Sequence, residues 1–205
     1  LHRRRHSFPT RRSSDLVHFV QVFDIYEVGP KIVEKLQEEG LISDAADLFY
    51  LTEADLAGLE RMGEKSAKNI IDAIALKKNP PLDRFIASLG IMHVGEETAR
   101  DLATTFGTWE KFWNAKDSDF DAIPNIGPAV TESIINYKNK PSSEVFIKKL
   151  FDGGVKPQSA KRVVKGTFIG QIFVLTGTLP TLSRDDAKKI VIAHGGKVSG
   201  SVSKN

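Results

Sequence analysis

The chain has 205 residues, 40% hydrophobic and 27% charged, with a formal net charge of +3, a composition that suits a globular protein with room for one or two cores. It has no cysteine and its five histidines fall at no ligand spacing, which excludes disulfides and a thiolate or histidine-rich metal motif. No apolar run approaches the roughly 20 residues of a bilayer span, and no signal-peptide core follows the N-terminal arginines. The reading is therefore a soluble, intracellular protein with no membrane partner.

The first sixteen residues, LHRRRHSFPTRRSSDL, set five Arg against one Asp and hold the whole basic excess, leaving Val17–Asn205 at −1. HSFPTRRSSDL, from His6 to Leu16, matches at every position the translation of a common sequencing-library adapter. Residues 1–16 are accordingly expected to be an artefactual, disordered leader outside the fold.

Beyond the leader, four segments share one register: DIYEVGPKIVEKL, GLERMGEKSAKNI, GIMHVGEETARDL and AIPNIGPAVTESI. Aligned on Gly29, Gly63, Gly95 and Gly127, they recur at intervals of 34, 32 and 32 residues. Val28, Met62, Val94 and Ile126 immediately precede the glycines, and Ile25, Leu59, Ile91 and Ile123 stand four residues before them. Val33, Ala67, Ala99 and Thr131 follow at +4, and Leu36, Ile70, Leu102 and Ile134 at +7. The +4 and +7 positions share one face of a helix that opens at the glycine, and a small residue at +4 lets another helix approach closely. Preceding helices are readable over 52–59, 81–89 and 116–123, where Thr52 followed by Asp55, and Pro81, are start signals. Each copy thus predicts a helix, a tight hairpin and a second helix.

In such a hairpin the glycine tolerates positive φ and leaves no Cβ in the path of a ligand. The amides after it lack intrahelical partners and, with the helix dipole, offer a seat for an anion such as phosphate. Lys65 and Lys68 add positive charge beside Gly63. Helical hairpins of this length also build protein-binding solenoids, in which glycine merely turns the chain, and the residue pattern leaves both open.

The four copies, in this order and with the connecting segments EEGLISDAADLFYLTEADLAGL and LDRFIASLGIMHVGEETARDLATTFGTWEKF, resemble the tandem helix-hairpin-helix domain of the bacterial NAD-dependent DNA ligases. The resemblance covers residues 17–156 and implies contacts to the DNA backbone at Gly29, Arg61, Gly63, Glu64, Lys65, Ser66, Lys68, His93, Gly95, Glu96, Thr98, Arg100 and Gly127. Hairpins of this family often carry a second glycine two residues before the aligned one, where this chain has Glu27, Arg61, His93 and Asn125. Arg61 and His93 suit a phosphate, Glu27 repels one and Asn125 is neutral. The second and third hairpins are therefore expected to make the main contacts and the first to be mainly structural. Lys31, Lys138 and Lys140 are read as solvated surface. Residues 17–165 carry a net −4, so the footprint is local, and binding should be modest and weakened by salt. Such contacts position the protein without reading sequence.

Residues 157–166 read as a polar linker. After it, residues 172–176 are apolar and β-leaning, Ser183 opens a helix with Asp185 and Asp186 in its first turn, Gly195–Gly196 stops it, and KVSGSVS reads as a second strand. FVLTGTL, SRDDA and GGKVSGSVSKN resemble the start of a BRCT domain, the same family's C-terminal module, and the chain stops about midway through that fold. Thr176 and Gly177 match phosphate-binding positions of some BRCT domains but are read here as a strand end. The expected fold class is mainly α: four tandem helix-hairpin-helix motifs (17–156), a linker (157–166) and a truncated α/β BRCT-like unit (167–205), marginally stable alone.

The resemblance implies a parent enzyme that seals nicks bearing 5′-phosphate and 3′-hydroxyl ends in replication and repair. NAD adenylylates a lysine, AMP passes to the 5′-phosphate, and the 3′-hydroxyl displaces it. This chain has no KxDG-type motif, no four-cysteine zinc module and no Ser/His/Asp, paired-carboxylate or metal constellation. It is expected to supply no catalytic residue, to be inactive alone and to bind no cofactor, while NAD, Mg and Zn belong to the full-length enzyme. Its expected partners are nicked double-stranded DNA and the missing N-terminal ligase domains. It should act as a monomer in the cytoplasm, associated with the bacterial nucleoid. A non-enzymatic helix-hairpin-helix adaptor of a repair complex is the alternative.

Overall fold

The computed structural model describes residues 13–60, 62–160, 167–168, 170–176 and 182–200, in two compact units divided after Ala160. In the first unit α1 (Ser13–Val22), α2 (Pro30–Glu38), a 3-10 turn (Ala45–Tyr50), α3 (Glu53–Ala57), α4 (Glu64–Leu76) and α5 (Leu82–Ser88) are followed by α6 (Glu96–Phe106), α7 (Trp109–Asn114), α8 (Asp117–Asp121), α9 (Pro128–Lys138) and α10 (Pro141–Asp152). The pairs α1–α2, α3–α4, α5–α6 and α8–α9 are the four hairpins. The protein is mainly α.

Local chemistry starts the short first helices. Thr52 and Asp55 form a reciprocal capping box at α3, with the Thr52 amide donating to Asp55 Oδ2 at 2.9 Å and the Asp55 amide to Thr52 Oγ1 at 3.3 Å. At α8 the Asp119 carboxylate accepts from the Lys116 amide at 2.8 Å. The register face then does the packing: Val33, Ala67, Ala99, Leu36, Leu102 and Ile134 are fully or almost fully buried. Aromatic rings link the hairpins from first to last. Phe19 stacks on Phe23 at 4.2 Å, Phe23 meets Phe85 at 6.4 Å, Phe85 meets Trp109 at 4.9 Å, and Phe112 meets Phe120 at 5.9 Å.

Two expected boundaries move. Ser13–Leu16 forms the first turn of α1, and Leu16 is 0% exposed, so the fold begins before Val17. The reason is periodicity: Leu16, Phe19, Val20 and Phe23 stand at i, i+3, i+4 and i+7, and all four are buried. The rest of the expected leader lies outside the described residues. Residues 157–160 are likewise no free linker. The amides of Lys156 and Gln158 donate to the carbonyls of Lys78 and Pro80 at 2.7 and 2.8 Å, and that of Ala160 to Gly107 at 2.8 Å. Pro80 and Pro81 enforce extended backbone that cannot spend those carbonyls on a helix, so the returning chain takes them. Residues 161–166 lie outside the described residues.

In the second unit β1 (Ile172–Val174) and β2 (Lys197–Ser199) pair in parallel, Phe173 opposite Val198, across α11 (Arg184–Ala193). Ser183 Oγ caps α11 by accepting from the Asp186 amide at 3.1 Å. Gly195, at φ +85°, ends it, and a Cβ on Gly196 would stand 2.7 Å from Val191 Cγ1, so the strand can pass only as glycine. The βαβ order expected from the sequence is present. Gly177 lies outside the described residues.

Candidate nucleic-acid interface

All four hairpin tips close through the same backbone hydrogen bond. The amides of Val28, Met62, Val94 and Ile126 donate to the carbonyls of Ile25, Leu59, Ile91 and Ile123 at 3.0, 3.0, 3.0 and 3.1 Å. The apolar register at −4 and −1 is thus the outer pair of a β-turn whose side chains plug the hairpin from below. The two central residues of each turn face outward: Tyr26 and Glu27, Met92 and His93, and Pro124 and Asn125 are exposed. In the second hairpin Glu60 is exposed and Arg61 lies outside the described residues.

The aligned glycines behave differently from expectation. Gly29, Gly63, Gly95 and Gly127 have φ of −76°, −79°, −86° and −89° with extended ψ, a conformation open to any residue. The left-handed residues stand two positions earlier, His93 at φ +64° and Asn125 at φ +68°. That is the place where the resembled family often has its second glycine. Glu27 avoids that conformation, which costs a long side chain about 1–2 kcal/mol, and in its hairpin the positive φ falls on Asp24 at +55°. A Cβ built on any of the four aligned glycines meets nothing within 4 Å. Neither backbone strain nor internal crowding therefore calls for glycine there. What remains is open space above a helix start.

The helix starts are kept uncapped. No side chain caps α2, α4, α6 or α9, since a glycine N-cap has none to offer; α5, α8 and α10 also lack a side-chain cap, whereas Asp44, Thr52, Thr108 and Ser183 cap the 3-10 turn, α3, α7 and α11. Among the described residues, no carbonyl accepts from the amides of Gly63, Glu64, Lys65 and Ser66, or of Gly95, Glu96, Glu97 and Thr98. The outer hairpins offer less. Pro30 and Pro128 have no N–H, and the amides of Ile32 and Val130 turn back to the glycine carbonyls at 2.9 Å. The second and third hairpins consequently leave more helix-start amides without an acceptor among the described residues, because neither has proline after its glycine.

Each expected contact residue can be located. Lys65 and Ser66 are exposed beside the Gly63 seat, with Lys68 one turn on and bonded to Asp72 at 2.9 Å. That pair is solvent-exposed on both sides, so it holds the lysine only weakly. His93 and Glu96 are exposed and Thr98 is half-buried at the Gly95 seat. Arg100 is half-buried and lines a cleft with Gln21, Asp24, Asp83, Arg84 and Glu96. Lys138 departs from its expected solvated role. Its Nζ donates to the Ala115 carbonyl at 2.5 Å and lies 5.2 Å from the Phe120 ring, and burial pushes its pKa below the ordinary lysine value. The helix periodicity that buries Ile134 also carries Lys138, four residues on, toward α8.

Sequence reasoning passed over Tyr26, Asp24 and Lys35. Lys35 donates to the Glu60 carbonyl, tying α2 to the second tip, and Arg84 pairs with Asp24, tying the first tip to α5. The exposed −3 position of the register could have pointed to Tyr26; the two ties are long-range and leave no local signal. Among the described residues no group of three or more His, Asp or Glu gathers to hold a metal ion, and no helix is long and apolar enough to cross a membrane.

Comparison with known proteins adds kinship to the geometry. Residues 19–76 match the SAM-like helix-hairpin-helix tandem family, residues 84–147 the helix-hairpin-helix motif family, and residues 165–205 the BRCA1 C Terminus (BRCT) domain family. The chain is 43% identical over 198 residues to the DNA ligase of Trichlorobacter lovleyi, covering 96% of this chain and 29% of that protein. It is 40% identical over 200 residues to the DNA ligase of Geotalea uraniireducens and 42% over 200 residues to that of Alkalilimnicola ehrlichii, covering 97% and 96% of this chain and 30% of each relative. The chain therefore spans under a third of the length of these curated relatives.

Proposed function

From the premise that this chain belongs to the DNA ligase family, as a C-terminal portion with helix-hairpin-helix and BRCT modules, we propose that its hairpins hold nicked double-stranded DNA by the backbone for sealing. The observation that carries the reading is the repeated glycine that the fold itself does not need. At Gly63 and Gly95 a Cβ would meet no protein atom, the φ angles are ordinary, and the amides that follow have no partner among the described residues. A phosphate oxygen seated on those amides would approach within about 3 Å of the backbone nitrogens, and only glycine leaves that path clear.

The roles divide accordingly. Gly63, Glu64, Lys65 and Ser66 seat one phosphate, with Arg61 and Lys68 supplying positive field. Gly95, Glu96 and Thr98 seat another, with His93 at the rim and Arg100 behind. Gly29 and Gly127, each followed by proline, make lesser contacts. The carboxylates of Glu64 and Glu96 are exposed and swing clear, so their amides and not their side chains serve the anion. None of these contacts reads a base, which suits an enzyme that must close nicks in any sequence.

Chemistry is assigned elsewhere in this reading. The NAD-dependent adenylyl transfer of the resembled enzymes, with its magnesium and zinc, draws on no residue of this chain, which positions DNA as a monomer and seals nothing by itself. The test is fluorescence-anisotropy binding of the full chain to nicked and intact duplexes across a salt series. Binding that weakens as salt rises, and that weakens further at every salt when Gly63 or Gly95 is blocked, supports the reading. A folded chain that binds neither duplex refutes it.

A further inference from the structure

The first hairpin has the poorest anion seat, with Glu27 at its tip and Pro30 where an amide should be, yet its tip is the most deliberately built. Tyr26 is 82% exposed, and its hydroxyl donates to Asp24 Oδ1 at 2.9 Å. Asp24 takes a left-handed φ of +55°, pairs with Arg84, and lies 3.9 Å from Lys77 Nζ, which itself stands 5.7 Å from the centre of the Tyr26 ring. A solvent-exposed aromatic ring is thus held in place by three residues: Asp24 just before the tip, Lys77 at the end of α4 and Arg84 on α5. At the same −3 register the third hairpin carries Met92, 71% exposed, and the other two tips carry Glu60 and Pro124.

Among the large apolar side chains exposed on the first unit, Leu76 lies at the end of α4 and Tyr50 and Val145 lie away from the hairpin tips, while Tyr26 and Met92 stand on tips, each at the −3 position of the register. Each is one of the two protruding residues of its β-turn, three positions before a glycine, so at most about 11 Å separates its Cα from that of the glycine. Beside a phosphate held at the glycine, a side chain at that reach meets the deoxyribose and the groove wall, which are the apolar parts of the backbone.

We infer that Tyr26 and Met92 are contact residues that pack on the deoxyribose faces of duplex DNA beside the seated phosphates, giving the first hairpin an apolar grip in place of an anionic one. The inference rests on the DNA-binding reading above and departs from the mainly structural role expected of the first hairpin. Asp24, Lys77 and Arg84 are positioning residues in it: they fix the ring before DNA arrives, so little rotamer freedom is lost on binding. Carboxylate Asp24 would repel a phosphate, but Arg84 and Lys77 face it from α5 and from the end of α4 and offset its charge.

The experiment is the salt-dependent anisotropy titration of the full chain carrying Tyr26→Ala, Met92→Ala or Tyr26→Phe, with thermal melting to confirm that each variant folds. Both alanine variants should bind roughly fivefold to tenfold more weakly than the parent, with the slope of log affinity against log salt unchanged. Tyr26→Phe, which keeps the ring and loses the bond to Asp24, should fall in between. Parent-like binding by both alanine variants overturns the inference while leaving the phosphate seats standing. So does a loss accompanied by a shallower salt slope, which would mark a charge effect. A parent chain that binds no duplex overturns both readings together.

Discussion

The double variant Gly63→Ala with Gly95→Ala separates what these glycines do for the fold from what they do for a ligand. Both positions are extended and exposed, and an added Cβ meets no atom within 4 Å, so the native state accepts alanine without strain. The unfolded chain loses conformational freedom, worth about 0.4–1 kcal/mol in favour of folding per site, while alanine is a poorer N-cap than glycine by a similar amount. The melting temperature should therefore stay within a few degrees of the parent. Binding should not. A methyl group in each seat displaces the phosphate from charge-assisted amide bonds worth about 1.5–3 kcal/mol, or roughly tenfold to a hundredfold per hairpin. Anisotropy titration on a nicked duplex at fixed salt reads the loss. If the double variant binds as tightly as the parent, the glycines seat nothing. If it melts far below the parent, they serve the fold after all.

The other expectations concern stability and the unequal hairpins. Gly29→Ala and Gly127→Ala should each weaken duplex binding less than threefold in the same titration, because Pro30 and Pro128 already remove a donor from those seats. Replacing His93, at φ +64°, by valine should destabilise the first unit by about 1–2 kcal/mol in urea unfolding, whereas Glu27→Val, at an ordinary φ, should stay within about 0.5 kcal/mol. Leu16→Ala should cost about 2–5 kcal/mol, the price of a core cavity, and a negligible effect would remove the first turn of α1 from the fold. Lys149 Nζ lies 2.9 Å from Asp44 Oδ2 and 2.8 Å from Asp47 Oδ1. Burial alone pushes the Asp47 carboxyl up, but the Lys149 hydrogen bond and those from Ser43 outweigh it, and its pKa ends below the ordinary value. A depressed carboxylate stabilises the fold above its unfolded pKa of about 4 and loses that stabilisation as pH falls through the lower folded value. Lys149→Met should therefore cost about 1–3 kcal/mol near neutral pH, and the difference from the parent should shrink in unfolding measurements toward pH 2.

Much of the architecture was legible because it is local and repeated. The −4, −1, +4 and +7 positions announce a turn-closing pair and a helix face, and one helical turn is enough to show them. The starts of α3, α5 and α11 were readable for the same reason, since a cap acts within three residues. Leu16 was misjudged because its neighbours Arg11 and Arg12 look like leader, while the partners that bury it come from the rest of the unit. The return of Lys156, Gln158 and Ala160 to Lys78, Pro80 and Gly107 joins segments roughly fifty to eighty residues apart, and no window of sequence carries that pairing.

The sequence by itself determined the four hairpins, their order, the face each buries and the glycine at each helix start, because side-chain periodicity and capping are short-range. Tertiary structure alone decided what surrounds the glycines. It moved the positive φ to His93 and Asn125 and left open space above Gly63 and Gly95. It also turned Tyr26 outward and pinned it through Asp24 to Arg84 and Lys77. Which atoms crowd a backbone position, and which leave it open, depends on chain segments that meet only when the hairpins pack, and that is long-range information.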